Sequence, residues 1–126
     1  MKKSRLGKEL VLLLTTVAMV FFMGCGETGR YESATARNRA IAEQAVSIAD
    51  DFLDLRIDGY TAWSRIGELG EIDRDTGNSA DFHLSTTVLL LSGDLLLYSP
   101  DSPSERFEEI LERRNGLATG LGMDER

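Results

Sequence analysis

Few side chains in this sequence could do chemistry. The one histidine is His83 and the one cysteine is Cys25. Acid–base work by an imidazole needs a second group within hydrogen-bond reach. No Ser–His–Asp order, zinc-ligand spacing or glycine-rich phosphate loop accompanies His83, so no catalytic residue is expected. The segment "DRDTGNS" at 73–79 alternates Asp73, Asp75 and Asn78 with other residues, as a calcium loop does. Such a loop starting at Asp73 requires Gly at its sixth position and Glu at its twelfth. Asn78 and Leu84 stand there, so the segment reads as a turn and no metal site is expected. Aspartates 50, 51, 54 and 58 form a different pattern. Asp50, Asp54 and Asp58 recur every fourth residue and would share one helical face, where like charges cost about 0.2–0.5 kcal/mol per pair. They also lie near the expected C-terminus of that helix, which disfavours negative charge. Both penalties together make Asp50, Asp54 and Asp58 a candidate binding face for a basic partner or a cation.

Cys25 follows the residues "FFMG". Upstream stand Lys2, Lys3, Arg5 and Lys8, then an apolar stretch from Leu10 to Met23 interrupted by Thr15 and Thr16. A basic region followed by an apolar one is the pattern of an export signal. The stretch would reach about 21 Å as a helix, whereas a bilayer core near ~30 Å takes about 20 residues. A cleaved signal over residues 1–24 therefore fits better than a retained anchor. Phe22-Met23-Gly24-Cys25 resembles the lipobox of bacterial lipoproteins, departing from it at Phe22, where Leu is the commonest choice. The resemblance covers the export segment alone. It implies cleavage between Gly24 and Cys25, a thioether-linked diacylglycerol on Cys25 and, in many bacteria, an acyl chain on its new amino group. The chemistry is consistent with the residues: Gly24 leaves the scissile bond open to approach, and Cys25 supplies a sulfur nucleophile. The resemblance also implies a lipid-anchored protein of the bacterial cell membrane. In a host with two membranes, Gly26 after the cysteine resembles the pattern sorted to the outer one.

Removal of residues 1–24 takes four basic residues and Glu9, leaving 10 basic against 20 acidic side chains, a net charge of −10. Every remaining basic residue is Arg. A surface this acidic argues against nucleic acid or an anionic lipid surface as electrostatic partner, since both need a basic footprint. With no second cysteine there is no internal disulfide, and the domain must stand on its apolar core.

The elements are then read from periodicity. The segment 25–35 is small and polar and reads as a tether. Ile41, Ala45, Ile48, Phe52 and Leu55 recur at alternating steps of four and three, which predicts a helix to about Ile57, stopped by Asp58-Gly59. A second helix fits 61–72, with Ala62, Ile66 and Leu69 on one face. A third, over about 79–98, carries the stripe Leu84, Val88, Leu91, Leu95 and Tyr98. Leu89, Leu90, Leu96 and Leu97 extend its apolar surface most of the way round, which predicts a centrally buried helix; its charges make membrane insertion costly. A fourth begins at "SPSE", read as a capping box with Ser102 at the N-cap, Pro103 at N1 and Glu105 at N3. It ends at Asn115-Gly116, with Arg113 and Arg114 suiting the C-terminal dipole.

The sequence thus predicts an all-α fold, a small helical hairpin or irregular four-helix bundle after a cleaved signal peptide. Its divisions are a lipoprotein signal peptide at 1–24, a polar tether at 25–35, a helical domain at 36–116 and a flexible tail at 117–126. The expected function is that of a membrane-anchored envelope interaction or accessory protein without catalysis. Its partners would be the membrane, through the lipid anchor, and a basic protein, with no nucleic acid and no cofactor beyond the acyl groups on Cys25. The alternative is a small-ligand or peptide binding module with a groove beside the third helix; a hydrolytic enzyme stands third.

Overall fold

The computed structural model describes residues 29–126. Gly24, Cys25 and the rest of residues 1–28, on which the expected signal peptide and lipid attachment fall, lie outside the described residues. Four α-helices are present, α1 (Ala36–Leu53), α2 (Gly59–Glu68), α3 (Ser79–Leu97) and α4 (Ser104–Gly120), with no strands among the described residues. The all-α expectation therefore holds, as a small four-helix bundle. Helices α1 and α3 each pack against all three others, whereas α2 and α4 do not meet. The bundle is thus a central α1–α3 pair with α2 in one side groove and α4 in the other.

The stripe on α1 packs as its spacing dictates: Ile41, Ala45 and Phe52 are buried, together with Ala42, Val46, Ala49 and Leu53. Small residues at 42, 45 and 49 let neighbouring helices approach closely. Opposite them Leu84, Leu91 and Leu95 of α3 are fully buried, as are Ala62 of α2 and Leu117 and Ala118 of α4. At one end of the core Phe52, Tyr98 and Phe107 bring α1, the end of α3 and α4 together. The Phe52–Tyr98 rings meet edge to face at 5.1 Å and the Phe52–Phe107 rings at 5.7 Å, geometries the ring quadrupoles favour.

Asp58-Gly59 does not stop the first helix; it starts the second. Helix α1 ends at Leu53, and Leu55 takes a left-handed turn at φ 61°. The Asp58 carboxylate then accepts the Thr61 N–H at 2.7 Å as the N-cap of α2. Negative charge suits that end of a helix. Gly59 is buried against α3: a Cβ there would lie 2.2 Å from the Leu95 carbonyl oxygen. The glycine is needed for close approach of two backbones, not for helix termination.

Both ends of the predicted helical domain also move. The residues read as a tether enter the fold at Gly29, whose N–H donates to Thr119 O at 3.0 Å, while the Tyr31 N–H donates to Gly120 O at 2.7 Å. Tyr31 and Ala34 are buried. The residues read as a flexible tail include Leu117 and Ala118 of the core, so α4 runs through Asn115-Gly116 and the chain turns only at Gly122, φ 79°. Burial of Leu117 outweighs the modest cost of one glycine inside a helix. The capping box at 102–105 does not form. Pro103 occupies the cap position, and Ser102 Oγ instead accepts the Ser99 N–H at 3.0 Å, closing the preceding turn.

Two glycine replacements separate close approach from helix propensity. Gly59→Ala is expected to cost about 2–3 kcal/mol by overpacking against α3. Gly116→Ala, with open space around its Cβ, should stabilise α4 by about 0.5–1 kcal/mol. Chemical denaturation followed by circular dichroism measures both; equal effects would refute the packing of Gly59 on Leu95.

Candidate functional site

The structure puts the three sequence-predicted binding aspartates to work inside the chain. Arg114, almost fully buried on α4, reaches Asp50 with a forked pair of hydrogen bonds, Nε to Oδ1 at 2.7 Å and Nη2 to Oδ2 at 3.1 Å. Its remaining nitrogen Nη1 donates to the Asp124 carbonyl at 2.7 Å. Arg126 sits 3.2 Å from Asp50 and also bonds Asp54. That hydrogen bond holds the Asp54 carboxyl below its ordinary range and raises the Arg126 guanidinium. Asp58 caps α2, where Thr61 holds its carboxyl low. Repulsion along α1 is thus relieved by two arginines of α4 and the segment after it, and Asp50, Asp54 and Asp58 do not form one open acidic face. Arg114 serves as a buried clamp on Asp50, not as a partner of its own helix dipole.

A second polar cluster lies at the other end of α1. Asp81, in the first turn of α3, is fully buried. Its Oδ1 accepts the Thr35 N–H at 2.9 Å and the Thr35 hydroxyl at 3.3 Å, and its Oδ2 accepts the Thr76 hydroxyl at 2.6 Å. Burial works to raise its carboxyl, but the Thr76 hydroxyl, the Asn38 amide and the two Thr35 donors outweigh it and hold the group low. Beside it buried Asn38 pairs with the Asp73 backbone through both amide atoms, donating to the carbonyl at 2.8 Å and accepting the N–H at 3.1 Å. Asn78 caps α3 by accepting the Ala80 N–H at 2.8 Å, and its amide reaches Ser33 O at 2.6 Å. The "DRDTGNS" segment is therefore the turn the sequence predicts, with the Thr76 and Asn78 side chains bonded into the fold and Asp73, Arg74 and Asp75 exposed.

Beside α3 lies an open groove of about 710 Å³, walled by Ile66 and Gly67 of α2, by Ile72 and Arg74 of the following loop, and by Val88 and Leu89 of α3. That volume falls in the range of small-molecule sites, roughly 300–1,000 Å³.

The prediction that α3 is buried all round is corrected. Its inner stripe is core, but Phe82, Leu89, Leu90, Leu96 and Leu97 are between 40% and 69% exposed. At 100° per residue these five, with Thr86 and Gly93, occupy about a third of the helix circumference. That face carries no charge. By length and composition alone α3 is long and apolar enough to cross a membrane, though a third of its most apolar stretch is buried in the bundle; its Asp94 is bonded to Arg113 at 2.6 Å.

His83 is exposed on α3, edge-on to the Phe82 ring at 5.9 Å. Among the described residues no group of three or more His, Cys, Asp or Glu side chains is placed to hold a metal ion. Comparison with protein families, with curated proteins and with solved structures found no match.

Asp54, Asp58 and Asp81 all titrate below the ordinary carboxyl value of 3.8 in the folded chain. Each therefore stabilises the fold above that value, and the contribution disappears as pH falls through its folded-state value. The melting temperature should be level from neutrality to about pH 5 and drop below about pH 4. Asp81→Asn should lower it at pH 7 and flatten the acid limb in melts at pH 7, 4 and 3. An acid limb unchanged in Asp81→Asn would assign it to Asp54 and Asp58 instead.

Proposed function

We propose that this chain is an exported envelope protein, anchored to a bacterial membrane through acylated Cys25, that works by non-covalent interaction and not by catalysis. The observation carrying this reading is the outer face of α3. It is long, apolar and uncharged, and the bundle leaves it open, while the carboxylates that could have formed a polar site are engaged in internal structure. Large exposed apolar patches on soluble domains mark interaction surfaces. The lipobox-like Phe22-Met23-Gly24-Cys25 supplies the anchor.

The groove between α2 and α3 supports a second reading, a small-ligand or peptide binder. Its apolar floor of Ile66, Ile72 and Val88 beneath a rim bearing Glu71, Asp73 and Arg74 suits a ligand with an apolar body and a polar end. Such a ligand would raise the melting temperature by linkage.

The anchor is tested by metabolic labelling with a palmitate analogue in a bacterial host. The wild-type chain should take up label and appear in its processed form, whereas Cys25→Ser should take up none and accumulate unprocessed. Equal labelling of the two would overturn the anchored reading.

A further inference from the structure

We propose that the outer face of α3 docks on the lipid bilayer itself, so that the domain lies on the membrane instead of hanging from it. This rests on the anchored reading above. The first argument is the length of the leash. Gly29, the first described residue, is hydrogen-bonded to Thr119, and three residues, Gly26 to Thr28, separate it from Cys25, a distance of four Cα steps. Four such steps reach at most about 14 Å when fully extended. About 5–8 Å of that reach is taken up by the headgroup layer, so the surface of the domain around Gly29 is held within about 10 Å of the bilayer, close enough for a neighbouring apolar face to settle on it.

The second argument selects the face. The leash joins the domain at the last turn of α4, and from there the buried Tyr31 reaches Thr87 of α3 with its hydroxyl at 2.8 Å, one turn from Leu90, so the leash enters on the α4 side of the outer α3 surface. Because α1 and α3 form the central pair, the outer face of α1 points the opposite way. That face carries Glu43 and Asp51, and placing charge against hydrocarbon is costly. Phe82, Leu89, Leu90, Leu96 and Leu97 carry none. Toward α2 the surface continues through Leu89 into the groove bordered by Gly67. Trp63 and Tyr60 lie on the side of α2 that carries Gly67, four and seven residues before it. Their rings meet at a 45° tilt with centroids 5.6 Å apart, and both are exposed. Trp and Tyr at the margin of an apolar face suit the boundary between headgroup and acyl chain. The net charge of −10 does not oppose this docking on neutral lipid, because the contact is apolar.

The test uses the full chain purified from a bacterial membrane and reconstituted in phosphatidylcholine vesicles containing a lipid with a diazirine in its acyl chain. Irradiation followed by peptide mapping should place the label on residues 82–97 in preference to residues 43–54. The double variant Leu89→Glu/Leu97→Glu changes only exposed positions. It should melt as wild type and lose about tenfold or more of the α3 label. The mass of the Cys25 peptide is read in the same spectra. If Cys25 is acylated and α3 is labelled no more than α1, docking is overturned and the anchor stands. If α3 is shielded by cross-links to a second copy of the chain, docking is likewise overturned in favour of self-association. If Cys25 carries no lipid, the anchored reading fails and the docking proposal falls with it.

Discussion

One carboxylate withdrawn from water organises this fold. A buried charge is tolerable only when its lone pairs are occupied, and Asp81 is satisfied by the N–H and hydroxyl of Thr35 and the hydroxyl of Thr76. That requirement brings the start of α1, the 73–78 turn and the first turn of α3 into one arrangement. Asn38 extends it by holding the Asp73 backbone in register with α1. Once the α1–α3 pair is set, its two side grooves are the places left for α2 and α4. The far end of the pair is closed by the Phe52, Tyr98 and Phe107 rings, contacts with less demand on angle than a hydrogen-bonded carboxylate makes.

Apolar periodicity made the helices legible, and α3 in particular begins and ends close to where its pattern says. The stripe on α1 and the inner stripe on α3 are core in the structure as in the sequence. Dual-purpose signals were less legible. Asp58-Gly59 is chemically as good a helix stop as a helix start, and only the approach of Leu95 to within 2.2 Å of where a Cβ would stand decides it. The buried polar residues were missed although a signal was present. Asp81 sits three and seven residues before Leu84 and Val88, on the same stripe, and Arg114 lies between Ile110 and Leu117 on another. A charged residue in line with an apolar stripe predicts a buried partner. That rule would have paired Asp50 with Arg114 more readily than with an outside protein. No such rule reaches residues 1–28, where the expected signal and Cys25 lie beyond the described residues.

Helix α3 shows how geometry limits what apolarity can mean. A helix with leucine on every side reads as the centre of a large core, but in a bundle of four each helix has at most three neighbours. One face must remain open whatever its composition. Here that face is closed to no neighbour and is bordered by the α2–α3 groove, so Leu89 belongs to both surfaces. An occupant of the outer face and a ligand in the groove would therefore meet at one side chain, and each would alter the surface offered to the other.

The strap formed by Gly29 and Tyr31 has a further consequence, in the order of events during synthesis. Its hydrogen bonds join the first described residues to the last turn of α4. Tyr31 also fits against Gly120 so closely that a Cβ there would lie 2.5 Å from its ring. Such contacts between distant parts of a chain close late and slow folding. Residues 29–31 have no native seat until α4 has been made, so the strap stays open until nearly all of the chain has emerged. A chain read as exported would keep its leading end free for the translocation machinery during that interval, and would set the strap only after crossing.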